Sequence, residues 1–262
     1  MKIGVFDSGL GGLTVLKQFL EHLPNKEYIY LGDNARVPYG NKSSSTIKNY
    51  SEQATRFLLS KNVDAIVIAC NTSSSEAMDE INEIAGLRPV IGMIEPAAQS
   101  AFIKSKNKKI GIIGTRGTIK SGAYSDKLKS LNSDIQVFEK ACPLFVPFVE
   151  EGQTASQALK LVAGEYLQEF ISHDIDTLIL GCTHYPFLRK IISEILPDVN
   201  IIDTGEEAAI QAKDILTNEP SNDEQNKMTQ CSYYATDEPS HFIKVARENL
   251  NLEIGFVETV NL

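Results

Sequence analysis

The sequence contains no tryptophan, only four cysteines and no long apolar run. No stretch approaches the roughly 20 consecutive apolar residues that a membrane-spanning helix requires, and the first residues predict a strand instead of a signal peptide. The four cysteines are far apart and form neither a Cys-x-x-Cys pair nor a zinc-binding pattern with histidine. We therefore expect a cytoplasmic protein with free thiols, no bound metal and no membrane partner.

Basic residues are also few, with 25 Lys and Arg against 34 Asp and Glu, for a formal net charge of -9. The longest basic cluster is the short segment 104–109. Because nucleic-acid binding depends on concentrated positive charge, this composition argues against a nucleic-acid partner. The 262 residues, 42% of them hydrophobic, are enough for a sizeable core and for two domains.

The chain begins with a strand, a glycine-rich turn and a helix, the start of a βαβ unit. The predicted strand covers 2–7, the turn contains glycines at 9, 11 and 12, and the helix covers 14–23. This spacing does not fit G-x-G-x-x-G and lacks the Walker lysine, so a nucleotide site is disfavoured. We expect the backbone amides of the turn to bind a carboxylate or another small anion. Asp7 either assists a proton transfer or caps the loop.

A second feature, a cysteine at the end of a buried strand, occurs twice. The apolar strand 63–69 precedes Cys70 and a run of small polar residues, with a helix expected from about Glu76. The segment 174–181 is a second apolar strand, and Cys182 and further polar residues follow it in the same order. A single such cysteine is usually an inert buried residue, but ligands bind beyond the carboxyl ends of parallel strands. The repetition therefore favours a functional role for both cysteines over inert burial.

The two halves of the chain follow the same order of elements. The segment 109–118 repeats the Lys-Ile-Gly strand and polar turn of 2–9, and 199–203 matches 89–93. We predict an α/β fold of two pseudo-symmetric doubly wound domains, whose mainly parallel sheets face each other across a cleft. The first domain would comprise 1–95 plus 208–262, because the tail is expected to fold back, and the second 96–207. Hinge segments are expected at 93–98 and 205–210, and a polar linker at 217–230.

If the two halves face each other, Cys70 and Cys182 lie on opposite walls of one cleft. This arrangement suits racemisation at a carbon next to a carboxylate, because that reaction needs a base on one face of the carbon and an acid on the other. A free thiol has a pKa of about 8.5, so we expect helix N-termini to favour the thiolate at Cys70 and Cys182. His184 is either structural or a partner of Cys182. Glu150 and Glu151 are either candidate carboxylates or residues of a solvated first helical turn.

Four segments together closely resemble the glutamate racemase family: Asp7-Ser8-Gly9-Leu10-Gly11-Gly12, Ala35-Arg36-Val37-Pro38-Tyr39-Gly40, Ala69-Cys70-Asn71-Thr72 and Gly181-Cys182-Thr183-His184-Tyr185-Pro186. The resemblance implies cofactor-independent interconversion of L-glutamate and D-glutamate, which supplies D-glutamate for peptidoglycan synthesis. It also implies that Cys70 handles the proton of the D-enantiomer and Cys182 that of the L-enantiomer. Asp7, His184 and Glu150 would assist the thiols.

The same resemblance implies a set of contacts to the carboxylates and amine of glutamate: Asp7, Ser8, Tyr39, Gly40, Asn71, Thr72, Thr183 and His184. Ser73 follows Thr72 where the family often has alanine, which leaves the expected catalytic residues in place. The expected partner is glutamate in both enantiomeric forms, and the expected assembly is a homodimer.

Three other interpretations are open at this level. An aspartate racemase would use the same two thiols, although His184 after Cys182 and Thr183 favours glutamate. A thiol hydrolase or amidotransferase would use Cys182 and His184 through a covalent intermediate, without a need for Cys70. A two-domain amino-acid-binding protein would explain the hinge but not the two thiols at strand ends.

Overall fold

The computed structural model describes residues 1–216 and 229–262. Most of the predicted polar linker 217–230 therefore lies outside the described residues. The ten strands are β1 Lys2–Asp7, β2 Glu27–Gly32, β3 Ala65–Ile68, β4 Val90–Ile91, β5 Lys109–Gly114, β6 Gln136–Ala141, β7 Thr177–Gly181, β8 Asn200–Asp203, β9 Gln230–Ala235 and β10 Val257–Thr259.

Twelve α-helices lie between and after these strands in the described ranges: α1 Leu13–His22, α2 Ser44–Ser60, α3 Asn71–Glu76, α4 Met78–Ala85, α5 Ile94–Lys104, α6 Arg116–Ser121, α7 Ala123–Leu131, α8 Phe145–Glu150, α9 Gln157–His173, α10 Arg189–Ile195, α11 Thr204–Leu216 and α12 Ser240–Leu250. Short 3-10 helices occupy Asn34–Arg36, Tyr39–Asn41 and Tyr185–Leu188. Within the two described stretches, no helix is both long enough and apolar enough to cross a membrane.

The strands form two sheets in which every pairing is parallel. The first sheet has the order β10-β9-β2-β1-β3-β4 and the second the order β6-β5-β7-β8. The four strands β2-β1-β3-β4 correspond one for one to β6-β5-β7-β8. This shared order confirms the prediction of two pseudo-symmetric α/β halves with parallel sheets.

The C-terminal tail extends the first sheet, as predicted. Strand β9 pairs with β2 in parallel over six residue pairs, and β10 pairs with β9. Helix α12 packs on the same sheet through the buried side chain of Phe242, whose ring centroid lies 5.5 Å from that of Tyr30. The tail thereby brings α12 next to the first half of the chain.

Both faces of each sheet are covered, as the near-continuous apolar strands require. In β1, Ile3 and Val5 pack in a core cluster with residues of α1 and α11, whereas Phe6 packs in another cluster with residues of α2 and α4. In the second sheet, Ile113 and Ile112 belong to different clusters in the same way. Full burial of each such side chain contributes about 1.5 to 3 kcal/mol to folding.

The chain passes between the two sheets at α5 and α11, which include the predicted hinge segment 205–210 and all of 93–98 except its first residue. These helices pack against each other, and Lys104 Nζ lies 2.7 Å from Glu207 Oε1. Both connections between the two sheets are therefore helices. The domain division at 95/96 and at 207/208 stays a prediction, and both positions fall in the first turns of these helices.

Three local predictions were wrong. The helix after Cys70 begins at Asn71 instead of near Glu76, because Cys70 Sγ accepts a hydrogen bond from Ser73 N and caps the first turn. Strand β4 is only two residues long, since the amide of Met93 bonds to the side chain of Ser74 instead of a neighbouring strand. Glu150 ends α8 instead of opening a helix.

Two glycines with contrasting surroundings, Gly111 in β5 and Gly164 in α9, provide a test of the packing. A Cβ added at Gly111 would lie 2.6 Å from Ile175 Cδ1 and 3.0 Å from Leu178 Cδ1. We expect Gly111→Ala to lower the free energy of unfolding by about 1 to 3 kcal/mol through overpacking, measured by urea denaturation. The control Gly164→Ala lies in α9 with nothing within 4 Å, so it should stabilise by up to about 1 kcal/mol. Equal effects of the two substitutions would contradict this packing.

Candidate active site

The candidate site lies at the carboxyl ends of the central strands of both sheets. Strand β1 lies between β2 and β3, and β5 lies between β6 and β7. The gaps β1/β3 and β5/β7 are therefore topological switch points, where open α/β sheets bind ligands. One cavity with about 290 Å³ of empty space lies between them, lined by Ser8, Val37, Pro38, Tyr39, Gly40, Cys70, Asn71, Thr72, Thr115, Val146, Cys182, Thr183 and His184.

Cys70 lies at the end of β3, on the wall that the first sheet contributes. Its Sγ donates to Ser8 Oγ at 3.5 Å and accepts from the amide of Ser73 at 3.5 Å. Burial and the nearby Asp7 carboxylate raise the pKa of Cys70 to about 11, although its hydrogen bonds with Ser73 and Ser8 oppose this rise. The amide of Ser73 at the helix N-terminus therefore favours the thiolate, as expected, but burial and Asp7 outweigh it and favour the protonated thiol.

Cys182 lies at the end of β7, on the wall that the second sheet contributes. Its Sγ is 3.9 Å from Nδ1 of His184, and Nε2 of His184 is 2.6 Å from Oε1 of Glu150. His184 is almost fully buried, whereas Glu150 is partly exposed at the end of α8. The helix predicted after Cys182 is a short 3-10 helix that begins at Tyr185.

The charge of His184 follows from its two partners. Burial opposes protonation of the imidazole, but the hydrogen bonds with Cys182 and Glu150 outweigh it and raise the pKa of His184 to about 10. The ring is therefore an imidazolium at neutral pH. A cation at this distance favours the anionic form of a thiol.

Asp7 is the carboxylate that the glycine turn binds. Its Oδ2 accepts from the amides of Gly9 and Gly12 at 3.0 and 2.9 Å, and its Oδ1 accepts from Thr183 Oγ1 at 3.3 Å. The sequence correctly predicted an anion at this turn, but the anion is a side chain of the protein itself. Burial raises the pKa of Asp7, whereas the charge of His184 and the amides lower it.

Thr183 connects the two walls of the cavity. Its hydroxyl reaches Asp7, its carbonyl accepts from Thr14 Oγ1 at 3.0 Å, and the same hydroxyl is 3.5 Å from His184 Nδ1. A Cβ added at Gly11 would lie 2.5 Å from both Thr183 Oγ1 and His184 Nδ1. Only glycine at position 11 lets the turn after β1 approach the loop after β7 this closely.

A second contact between the halves lies on the opposite side of the cavity. The hydroxyls of Thr72, Thr115 and Thr118 are within 2.9 to 3.2 Å of one another. A Cβ at Gly40 would lie 2.3 Å from Thr115 Cβ, so this loop also needs glycine. Thr72 belongs to the first half and the other two threonines to the second.

The remaining lining residues are held by buried polar groups. Asn71 Oδ1 accepts from Tyr124 OH at 2.6 Å, and its amide donates to Thr204 Oγ1 at 3.4 Å. The phenol of Tyr39 donates to Asp33, which also accepts from Arg36 Nε at 2.6 Å. Both side chains are therefore fixed in orientation before any ligand binds.

Every site residue that the sequence indicated lies at or directly beside the cavity. Ser8, Tyr39, Gly40, Cys70, Asn71, Thr72, Cys182, Thr183 and His184 line it. Asp7 and Glu150 lie behind the wall, in hydrogen bonds with Thr183 and His184. Their roles in catalysis and in substrate binding stay predictions.

Sequence reasoning missed Thr115, Tyr124, Thr204 and His241. Thr115 follows β5 as Ser8 follows β1, so the internal repeat carried a signal for it. The other three contact site residues from distant elements: Tyr124 and Thr204 bond to Asn71, and His241 Nε2 is 3.7 Å from Glu150 Oε2. No local pattern identified them. Among residues 1–216 and 229–262, no group of three or more His, Cys, Asp or Glu could hold a metal ion.

The architecture and the two facing thiols define the class of protein. The sequence model of the Asp/Glu/Hydantoin racemase family matches residues 3–212. The chain belongs to this family.

Within the family, the chain is similar to several glutamate racemases. The chain is 47% identical over 260 residues to the glutamate racemase of Sulfurihydrogenibium sp. (strain YO3AOP1), covering 99% of this chain and 96% of that protein. It is 51% identical to the enzyme of Aquifex aeolicus over 84% of this chain and 85% of that protein. The solved structure of a Bacillus anthracis glutamate racemase has a TM-score of 0.94 at 37% identity, covering 99% and 97% of the two chains.

Aspartate racemases are more distant. The structure of the enzyme from Picrophilus torridus has a TM-score of 0.57 at 20% identity, covering 86% of this chain and 97% of that one. At this identity the likeness shows a shared fold alone. The sequence relatives at 41% to 51% identity are glutamate racemases.

Gly11 provides a test of the contact between the two walls. We expect Gly11→Ala to reduce racemase activity by about 100-fold, because the added Cβ displaces Thr183 and His184 by about 1 Å. The measurement is the rate of change of optical rotation, with far-ultraviolet circular dichroism to verify folding. Gly164→Ala, with no atom within 4 Å of the new Cβ, is the matched control. Unchanged activity of Gly11→Ala would refute the close contact.

The pKa of His184 can be measured directly by nitrogen NMR of histidine-labelled protein. We expect its ring to stay protonated up to about pH 10. In Glu150→Gln, the loss of the carboxylate removes a partner of the charged ring while burial still opposes the charge, so the pKa should fall. His22 and His173 serve as internal references, whereas His241 contacts Glu150 and does not. A wild-type titration of His184 near 6.5 would contradict the assignment.

Proposed function

We propose that this chain interconverts L-glutamate and D-glutamate by proton transfer at the α-carbon, with Cys70 and Cys182 acting on opposite faces of the substrate. One observation carries the proposal: the two thiols come from equivalent strands of two facing sheets and line the same cavity. The glutamate racemase relatives supply the choice of amino acid.

The surroundings of the two thiols support opposite protonation states in the resting enzyme. Burial and Asp7 keep Cys70 protonated, and the imidazolium of His184 lies beside Cys182. In this state the Cys182 thiolate takes the α-proton of L-glutamate, and the Cys70 thiol donates a proton to the other face to give D-glutamate. The reverse reaction uses each thiol in the opposite sense. The link between each cysteine and its enantiomer rests on the family resemblance.

Asp7, Glu150 and His184 assist these transfers in the proposal. Asp7 disfavours a negative charge on Cys70 and so keeps that thiol as the proton donor. Glu150 stabilises the positive charge of His184 across a 2.6 Å hydrogen bond. His184 in turn stabilises the thiolate of Cys182. Each carboxylate therefore acts on one of the two thiols, Asp7 on Cys70 directly and Glu150 on Cys182 through His184.

Substrate binding would use the polar lining of the cavity. Hydroxyls of Ser8, Thr72 and Thr183 can donate to the carboxylates of glutamate, and Asn71 presents an amide that Tyr124 and Thr204 hold in place. Backbone groups at Tyr39 and Gly40 line the same space. Because these groups are already oriented, binding would require little side-chain ordering.

Three wider statements belong to the same proposal. The reaction would need no cofactor, since the two thiols supply both the base and the acid. The D-glutamate formed would serve peptidoglycan synthesis in the cytoplasm. We further propose a homodimer, which sedimentation equilibrium of the purified chain would test.

Single substitutions of each thiol test the two-base proposal. In deuterated solvent, the wild type should convert L-glutamate to D-glutamate that carries deuterium at the α-carbon. We expect Cys70→Ser and Cys182→Ser each to reduce this conversion by at least about 100-fold, since each removes a proton-transfer group. Circular dichroism gives the rate, and mass spectrometry the deuterium content.

The matched control is Cys231→Ser, which changes a half-buried thiol outside the cavity and should keep wild-type activity. Racemisation by either active-site variant at the wild-type rate would exclude the two-base mechanism. The same assay with aspartate in place of glutamate compares the two substrates. A clear preference for aspartate would overturn that part of the proposal.

A further inference from the structure

A chain of three side chains connects Cys182 to the protein surface. His184 lies 3.9 Å from the Cys182 sulfur, Glu150 lies 2.6 Å from the far nitrogen of His184, and His241 lies 3.7 Å from the other oxygen of Glu150. Exposure increases along this chain: the side chains of His184, Glu150 and His241 are 3%, 23% and 49% accessible. His241 is the outermost group.

The position of His241 is fixed by its neighbours in α12. The adjacent Phe242 is buried and packs on the rings of Tyr30 and Tyr233, with centroid distances of 5.5 and 6.4 Å. This packing anchors the first turn of α12 to the first sheet, while Glu150 and His184 belong to the second half. His241 therefore meets Glu150 across the junction of the two halves, at an ion-pair distance of 3.7 Å.

The proposed reaction, on which this inference rests, creates a need for such a chain. After conversion of L-glutamate to D-glutamate, Cys182 carries the proton taken from the substrate and Cys70 has lost one. Before the next turnover in the same direction, one proton must leave the pair of Cys182 and His184, and one must return to Cys70. Both thiols are at least 95% buried, so these protons need a route to solvent.

We propose that His241 receives the proton that leaves Cys182 and passes it to solvent. The proton on Nε2 of His184 moves to Oε1 of Glu150, the carboxylic acid gives a proton to Nε2 of His241, and His241 releases one to water. The neutral ring that remains carries its proton on Nδ1, which faces Cys182. Once a water molecule in the vacated cavity has carried that proton from Nδ1 to Nε2, Nδ1 accepts the thiol proton, which restores the thiolate. One proton leaves in total, and no other bond changes.

The kinetic signature of this step differs from that of a structural role. Return of the free enzyme to its starting protonation state limits kcat at saturating glutamate but does not enter kcat/KM. Poor placement of Glu150 and His184 would instead lower kcat/KM, because it weakens proton abstraction itself. His241→Gln keeps a hydrogen-bonding group beside Glu150 but cannot carry a proton, and His241→Ala removes both functions.

We expect both variants to lower kcat for L-glutamate by about tenfold with kcat/KM unchanged. The effect is smaller than a typical proton-transfer contribution because Glu150 is itself partly exposed. Addition of imidazole buffer should restore kcat in both variants, since a small base replaces the missing ring. His22→Gln, at a histidine outside the cavity, is the matched control and should keep the wild-type kcat.

Two outcomes would overturn the inference while the wild type racemises glutamate. A wild-type kcat in His241→Gln would show that no proton passes through this ring. Parallel loss of kcat and kcat/KM without rescue by imidazole would show that His241 only positions Glu150. Absence of glutamate racemisation by the wild type itself would instead refute the proposed function, and with it this inference.

Discussion

The contact between the turn after β1 and the loop after β7 is the constraint on which the site depends. Two buried hydroxyls form it: Thr14 donates to the carbonyl of Thr183, and Thr183 donates to Asp7. These bonds join elements that are more than 160 residues apart. Because β1 pairs with β3, which precedes Cys70, this contact connects the sheet that carries Cys70 to the loop that carries Cys182. The close approach requires Gly11, where any side chain would occupy the space of His184.

The threonine hydroxyls on the other side of the cavity complete this arrangement. Thr72 faces Thr115 and Thr118 across the junction, with Gly40 packed against Thr115. Each neutral hydrogen bond of this kind contributes about 0.5 to 1.5 kcal/mol net. Cys70 and Cys182 are both buried. A dissolved amino acid therefore reaches the sulfur atoms only after the walls of the cavity move.

Much of this architecture could be predicted from the sequence, because the internal repeat shows which strands of the two halves are equivalent. The Lys-Ile-Gly strands at residues 2 and 109, and the cysteines at 70 and 182, mark equivalent strands whose order the sheets reproduce. Strand ends in a parallel sheet share one edge, so residues that follow them could be assigned to the site. Thr115 was available from the same repeat and was overlooked.

What the sequence did not predict depends on contacts between distant elements or on competing local bonds. Tyr124 and His241 reach the site from helices whose sequences show only ordinary amphipathic patterns. The helix that begins at Asn71 contradicts the low helix propensity of its serines and threonine, since a sulfur cap and tertiary burial outweigh propensity. The sequence left two possibilities for Asp7, a role in proton transfer or a cap of the loop, because only the folded backbone shows that its carboxylate accepts from the amides of Gly9 and Gly12.

The two thiols are equivalent in the fold but not in their electrostatic surroundings. Cys70 lies near a carboxylate and Cys182 beside an imidazolium. Two enantiomers have equal free energies in water, so this asymmetry cannot shift the equilibrium between them, and kcat/KM must be equal in the two directions. It can only decide which protonation state the free enzyme prefers and how quickly that state returns after a turnover. In the proposed mechanism, the chain from His184 to the surface begins at Cys182, the thiol that would be protonated when L-glutamate is converted. In that mechanism, the electrostatic difference between the two thiols therefore affects how quickly the free enzyme returns to its starting protonation state between turnovers.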